Sequence, residues 1–522
     1  MQKNHIAMIG LAVMWANIAR NIASQWYSVA VYNRTKEVTE EFIQEHGTGQ
    51  NPHEPASQEG IKQQKQEQIP TGWQKNIGAL VPYFSLSELV SSLERPRKVM
   101  IMVKAGSPVD AVIAELIPLL EAWDIIIDCG NSLYTDTIRR EASLRESSIH
   151  FIGCGVSWWE EWALHGPSIM PGCSSEAYTQ ILPILDSIAA RDFSWGTCVS
   201  HMGWDGAGHY VKMIHNGIEY AVMQMIAESY EVYRKTYSLS AGEIGKIFEV
   251  YNTWVLDSYL IEITAKVLQK EDNEAVDSEQ YAGGQIPTGW QKLEWQERSG
   301  QKKYLIDSIL DRAGAKGTGL WTSIDALESG MSASSIVEAT FARMISSDKS
   351  LRSDLGRGYE FDHPILMPLE EMIAKLEYTL YLGMLFAYAQ WLALIRHTSD
   401  AHKWDIDLSE VTRIWQGGCI IRSQILTFLT SAFATDREVS HIFALTLIHD
   451  AIHTHIAEYQ SVLSVLIRSN IPTPALSSAL EYFYQIVTID SSANMIQGLR
   501  DYFGAHTYER TDRAGVFHTH WN

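Results

Sequence analysis

Basic charge is what this chain most lacks. Its 41 lysines and arginines are outnumbered by 62 aspartates and glutamates, for a formal net charge of −21. Such a field repels polyanions, which excludes nucleic acid or an anionic membrane as the main partner. A phosphorylated metabolite stays compatible, provided a few cations gather at one site. Cysteine is scarce too, with five in 522 residues, at 129, 154, 173, 198 and 419. Their spacing forms no metal-ligand pair and no disulfide framework, so no metal is expected. No basic and apolar leader precedes the first strand, and a cytoplasmic protein is the expectation. The charge-free stretch Thr379 to Ile395 is short for a membrane span and carries Gln390, which reads as a buried core helix.

What is present is enough apolar sequence, 46% of residues, for two or three cores. Residues 1–206 alternate short apolar runs with amphipathic segments. The runs His5–Gly10, Ser28–Tyr32, Lys98–Val103, Asp124–Asp128 and Ile149–Ile152 read as strands. That alternation predicts an α/β, doubly wound parallel sheet of Rossmann type. Residues 207–475 carry long helical patterns broken at Pro364, Pro368, Pro472 and Pro474, which predicts a large all-α domain. A C-terminal tail is expected over 476–522. Two polar inserts, about 48–79 and 273–303, share the octapeptide Gln-Ile-Pro-Thr-Gly-Trp-Gln-Lys at 68–75 and 285–292. They read as two copies of one surface element.

The segment Lys212 to Tyr220 is the chemical centre of the sequence. At about 100° per residue, Lys212, His215, Asn216 and Glu219 share one helix face, while Met213, Ile214 and Ile218 point elsewhere. A base, an acid and two hydrogen-bonding groups on a rigid element suit proton transfer on one substrate. The same spacing also fits a solvated face with an i, i+7 Lys/Glu pair. Near the N-terminus, Gly10-Leu11-Ala12-Val13-Met14-Trp15 follows the first strand and opens a helix. Such a turn lets backbone N–H groups approach a pyrophosphate, although G-x-A-x-x-W departs from G-x-G-x-x-G. The second strand ends in Asn33-Arg34-Thr35 without an acidic residue, which favours a 2′-phosphate, hence NADP over NAD.

Taken together these motifs resemble the decarboxylating 6-phosphogluconate dehydrogenases over nearly the whole chain outside the inserts. Further matching motifs are Met102-Val-Lys-Ala-Gly106, Gly130-Asn-Ser132, Gly206-Ala-Gly-His-Tyr-Val-Lys212, Lys316-Gly-Thr318, Gly417-Gly-Cys-Ile-Ile-Arg422 and Arg500-Asp-Tyr-Phe-Gly-Ala-His506. The resemblance implies oxidation of 6-phosphogluconate by NADP and decarboxylation to ribulose 5-phosphate, a step of the pentose phosphate pathway and of gluconate utilisation. It implies Lys212 as general base and Glu219 as the acid that protonates C1 of the enediol left after CO2 departs. It implies substrate contacts from Asn131, Ser157, Trp158, Trp159, His215, Asn216, Tyr220, Lys316, Thr318 and Arg343. Arg500 and His506 would come from the tail of a neighbouring subunit in a homodimer. Cofactor contacts would extend from Gly10–Trp15 and Asn33–Thr35 to Val103, Lys104, Ala105 and Asn131.

The chain departs from the family at glycine. Trp15, Trp26, Trp123, Trp158, Trp159, Trp162, Trp254 and Trp391, with Cys129 and Cys173, stand where the family has glycine. Each is one G-to-T change in the first codon position from a glycine codon, the mark of a mutational bias under weak selection or of deliberate alteration. Ala315 and Gln416 replace Gln and Arg. Trp15 lies beside the cofactor turn, and Trp158 and Trp159 follow Ser157 in the substrate loop. Indoles there occupy ligand volume. A catalytically impaired homologue that keeps the fold is therefore the alternative to a working enzyme.

Overall fold

In a computed structural model of the chain, seven strands form one sheet: β1 (Ile6–Ile9), β2 (Val29–Tyr32), β3 (Leu80–Pro82), β4 (Lys98–Ile101), β5 (Ile125–Asp128), β6 (His150–Val156) and β7 (Ile169–Gly172). Residues 3–47, 78–157, 160–272, 303–314 and 317–521 are described; both octapeptide copies lie outside them. The spatial order is β3-β2-β1-β4-β5-β6-β7. β1 to β6 run parallel, and their register places Ile6 beside Val29 and Ala7 beside Val99. Central strands are apolar at consecutive positions because both sheet faces are covered. Ile6 and Met8 enter the core on one face, and Ala7 and Ile9 enter the core on the other.

The doubly wound parallel sheet is as expected, with one antiparallel strand added at its edge: β7 pairs antiparallel with β6, Gly153 opposite Gly172. β7 and β3 were not foreseen. Each is short and contains proline, at Pro171 and Pro82, in positions that read as turns and that edge strands tolerate. β6 runs four residues beyond the expected Ile152, and those residues carry the sheet into the site.

Past residue 206 the described structure is helical apart from a small hairpin near the end of the chain. The helix Ala207–Lys235, called here the site helix, is buried on nearly every side. The long helix Leu369–His402 begins directly after Pro368, and its most apolar stretch, which includes Thr379–Ile395, is 83% buried. It is a core helix, as its polar Gln390 indicates: Gln390 Oε1 accepts from Ser335 N at 3.0 Å.

A helix spans the expected tail boundary at 476. Helix Pro474–Val487 buries Ala475, Leu476, Ala479, Leu480 and Tyr482. Its first amides, Ala475 N and Leu476 N, donate to the buried Glu228 carboxylate of the site helix at 2.8 and 3.0 Å. A carboxylate satisfying the free N–H groups of a helix start joins the two elements. Burial pushes the Glu228 carboxyl up to about 7. The segment that leaves the core starts after this helix. It contains helix Ala493–Gly504 and a two-stranded hairpin, Tyr508–Glu509 with Val516–Phe517. Asp501 folds it on itself, accepting from Thr507 N, His518 Nδ1, Thr519 N and Trp521 Nε1 at 2.9–3.1 Å.

Several tryptophans sit where only glycine is at ease. Trp26 has φ 74° and Trp123 has φ 75°, both well exposed. Trp195, which the sequence alone did not single out, has φ 67°. Trp391 is wholly buried, and its indole N–H has no partner. Left-handed backbone costs a residue with a Cβ about 1–2 kcal/mol. Trp26→Gly and Trp123→Gly are therefore each expected to stabilise the fold by about 1 kcal/mol. Trp254→Gly, outside the left-handed region, is expected to change it by no more than about 0.5 kcal/mol. Denaturant midpoints of the three variants check this.

Candidate active site

Close approach comes first, because the site helix rests on the sheet through glycine. Gly153 and Gly155, two apart on β6, face it together. A Cβ on Gly155 would lie 2.5 Å from Lys212 Cβ, and one on Gly208 would lie 2.2 Å from Met170 O and 2.4 Å from Gly153 O. The missing side chains let the helix backbone touch β6 and β7, and the stem of Lys212 lies over the sheet. The sequence signal for this contact, not foreseen, is the G-x-G spacing on β6.

The polar face of the helix is interior, which decides between the two readings of the stripe. His215 is 0% exposed, Lys212 4% and Asn216 9%, with Glu219 partly exposed at the edge. Lys212 Nζ donates to Asn216 Oδ1 at 2.9 Å. His215 Nδ1 lies 3.3 Å from that ammonium and 3.1 Å from Asn216 Oδ1. With its proton on Nδ1 the imidazole donates to Asn216; with it on Nε2 it accepts from Lys212. Either way Nε2 is buried without a partner. Burial drives the Lys212 amine down to about 8, against the opposing pull of Glu219 and Cys419. Burial, and then the Lys212 charge, holds His215 well below its usual range, so it is neutral. The cluster thus holds an amine that titrates near neutrality beside an orphaned ring nitrogen, as acid–base work requires.

A second group forms where helix Ser334–Ser347 meets Tyr220, further along the site helix. The Arg343 guanidinium stacks 3.5 Å from the centre of the Tyr220 ring, and its Nη1 donates to Gly314 O at 3.3 Å. It makes no ion pair among the described residues, so its fork is open to an anion. Thr318, buried at the start of helix Thr318–Glu328, follows Gly317, whose φ is 95°. Lys316 lies outside the described residues, as do Trp158 and Trp159. Asn131 follows β5, and its Oδ1 is buried without a partner. The Ser157 hydroxyl donates to Gly418 O and accepts from Ser168 N at 3.1 Å. It ties the end of β6 to the Gly417-Gly418 turn, with no hydrogen left for a ligand. Arg500 and His506 stand in the tail, where Arg500 Nη1 bonds Gln497 Oε1 at 3.1 Å. Among the described residues no hydrogen bond joins them to the site helix.

The dinucleotide turn fits its expected ligand. Gly10 has φ 101°, and a Cβ there would lie 2.3 Å from Met102 O. It sits where β1 and β4 diverge, the switch point at which open α/β sheets bind nucleotides. Helix Val13–Ser24 starts there with no side-chain cap and no acidic residue in its first turn, so its N-terminal amides face outward for a phosphate. The side chains of Val13, Met14 and Trp15 are not described. Leu11 N donates to Asn33 Oδ1 at 3.3 Å, tying the turn to the end of β2, and Arg34 and Thr35 are exposed beyond it.

Comparison with known proteins follows this geometry. The family profile for the NAD binding domain of 6-phosphogluconate dehydrogenase matches residues 5–203, and that for the 6-phosphogluconate dehydrogenase C-terminal domain matches residues 208–521. The chain is 42% identical to the NADP(+)-dependent, decarboxylating 6-phosphogluconate dehydrogenase of Bacillus subtilis, covering 100% of both chains. It is 41% identical to the decarboxylating enzyme of Lactococcus lactis subsp. lactis over 100% of this chain and 99% of that one. Among solved structures it is similar to Plasmodium falciparum 6-phosphogluconate dehydrogenase, described in apo form and with NADP+ or 6-phosphogluconate. That match has a TM-score of 0.86 and 34% identity, covering 99% of this chain and 100% of that one.

The glycine contact gives a test independent of ligand. Gly155→Ala is expected to lose about 1–3 kcal/mol of stability, since its Cβ overlaps the Lys212 stem and Gly208 O. Chemical denaturation measures it.

Proposed function

The chain belongs to the 6-phosphogluconate dehydrogenase family, and from that premise we infer the part each residue takes in its reaction. The reaction is oxidative decarboxylation of 6-phosphogluconate to ribulose 5-phosphate and CO2, with reduction of NADP. The observation that carries the assignment of roles is the buried Lys212 amine, lowered to about 8 beside the unpartnered His215 Nε2. NADP, when bound, supplies the oxidant for C3 of the sugar acid. Gly10 to Trp15, Asn33 to Thr35 and Val103 to Ala105 would hold it.

Lys212, in its neutral form, takes the proton of the 3-hydroxyl as C3 is oxidised. The resulting β-keto acid releases CO2 because its ketone receives the electron pair of the breaking C–C bond. The ammonium now on Lys212 stabilises the enolate oxygen that develops. Glu219, at the edge of the same face, delivers the proton to C1 of the enediol (C2 of the original sugar acid), giving ribulose 5-phosphate. His215 and Asn216 orient Lys212 and offer hydrogen bonds to substrate hydroxyls, joined by Asn131, Tyr220, Lys316 and Thr318. Arg343 receives the phosphate, and Arg500 and His506 reach it from the partner subunit of a homodimer. Ser157 acts through the turn it fixes. A cytoplasmic location completes this reading, supported by five cysteines that are all free.

A second reading is a homologue that keeps the fold with reduced turnover. The left-handed Trp26 and Trp123 favour it, because they show tryptophan standing at glycine positions elsewhere in the sheet domain. One assay decides: NADPH formation with 6-phosphogluconate, abolished in Lys212→Ala. Since the neutral amine is the base, kcat/KM is expected to rise with pH and level off above about 8. No turnover until Trp15, Trp158 and Trp159 are returned to glycine establishes the second reading instead. For the shared site, inactive Lys212→Ala and Arg500→Ala homodimers are mixed and re-paired. Heterodimers with one intact site are expected to restore roughly a quarter of the parental activity. Continued inactivity rejects tail exchange.

A further inference from the structure

Helix Tyr134–Arg145 presents Arg139 and Arg140 in succession, and only the first is a surface residue: Arg140 is 2% exposed. The Arg140 guanidinium is spread over three segments. Its Nη2 donates to Gly106 O at 3.0 Å, at the end of the loop after β4. Its Nη1 lies 3.4 Å from Asp128 Oδ2 and 3.3 Å from Ser132 Oγ, at either end of the loop after β5. Its Nε donates to Asp110 Oδ1 at 2.8 Å. Asp128 continues the frame, accepting from Gly130 N at 3.0 Å and Ser132 Oγ at 2.6 Å. Asn131 is therefore braced on both sides, while its own buried Oδ1 has no partner. The two loops touch: a Cβ on Gly130 would lie 3.5 Å from Val103 O.

The same helix reaches the site helix one turn earlier, where Thr137 Oγ1 bonds the buried His209 Nδ1 at 2.7 Å. One rigid element thus brackets the loop before Gly106, the loop around Asn131 and the helix that bears Lys212. We propose that Arg140 is a positioning residue for the reaction, fixing the cofactor loop (Val103–Ala105) against the substrate loop (Asn131). The proposal rests on the functional reading above. It follows from the chemistry of the side chain, since a planar fork of N–H donors satisfies a carbonyl, a hydroxyl and two carboxylates at once. An ammonium at the same place is a point charge and cannot span them.

Arg140→Lys keeps the charge and tests the fork. With C3-deuterated 6-phosphogluconate, kcat/KM is expected to fall roughly tenfold or more with a larger isotope effect, as misplaced partners slow the C–H step. A role in folding alone lowers the amount of active protein and leaves KM and the isotope effect at parental values; that result overturns the proposal. Hydrogen exchange on the ligand-free protein gives a readout that needs no turnover. Amides of 102–106 and 129–132 are expected to exchange faster in Arg140→Lys, with those of β1 and the site helix unchanged. Unchanged exchange in both loops overturns the proposal even if the parent protein is inactive, whereas absence of parental turnover alone counts against the functional reading. If Arg140→Lys does not fold, Ser132→Ala removes one arm of the frame and is expected to shift the same two readouts in the same direction. No shift in either overturns the proposal.

Discussion

Everything in the site depends on how closely one helix lies on one sheet edge. Ordinary helix–sheet packing leaves a layer of side chains between the backbones. Here Gly153 and Gly155 on β6, Gly172 on β7 and Gly208 in the first turn of the site helix remove that layer. Lys212 is thereby drawn into the interior at the carboxyl end of the sheet, where its amine loses water and titrates near neutral pH. A helix held a side chain further out would leave the same residue solvated and cationic. The electrostatics of the Lys212 amine thus follow from an absence of Cβ atoms on the opposing strand.

The same logic gives His215 and Arg343 their different duties. His215 is buried next to a cation, so it stays neutral and directional. Arg343 is stacked on the Tyr220 ring, which supports its flat face and leaves its edge for an anion. Lys212 on the site helix and Arg343 on helix Ser334–Ser347, set against Tyr220 two turns further along, put two cations at different depths, which suits a substrate that reacts at one end and is anchored by phosphate at the other. The acidic surroundings of the whole protein, at −21, make such local concentration of positive charge necessary.

Much of this was legible in the sequence where the signal is local. Five apolar runs became strands, and the polar stripe at 212–219 became the buried cluster. The charge-free stretch Thr379 to Ile395 became part of a core helix. Signals failed where the partner is remote. Nothing near Ser157 indicates that its hydroxyl closes on Gly418, and nothing near Arg140 distinguishes it from its neighbour Arg139. β3 and β7 escaped because a short strand containing proline is locally a turn, and only neighbouring strands recruit it. Helix Pro474–Val487 looked like tail because its anchor, Glu228, lies far back in the chain.

The tail has its own small hydrogen-bonded centre at Asp501, where two backbone amides, an imidazole and an indole converge on one carboxylate. A segment tied in this way is already shaped before it meets any other surface. Were it to dock on a partner, as proposed, it would do so as a prefolded lobe, with the ordering entropy of its hairpin and helix settled in advance. Binding strength would then be set by surface complementarity, and the arrival rate by encounter rather than by folding on contact.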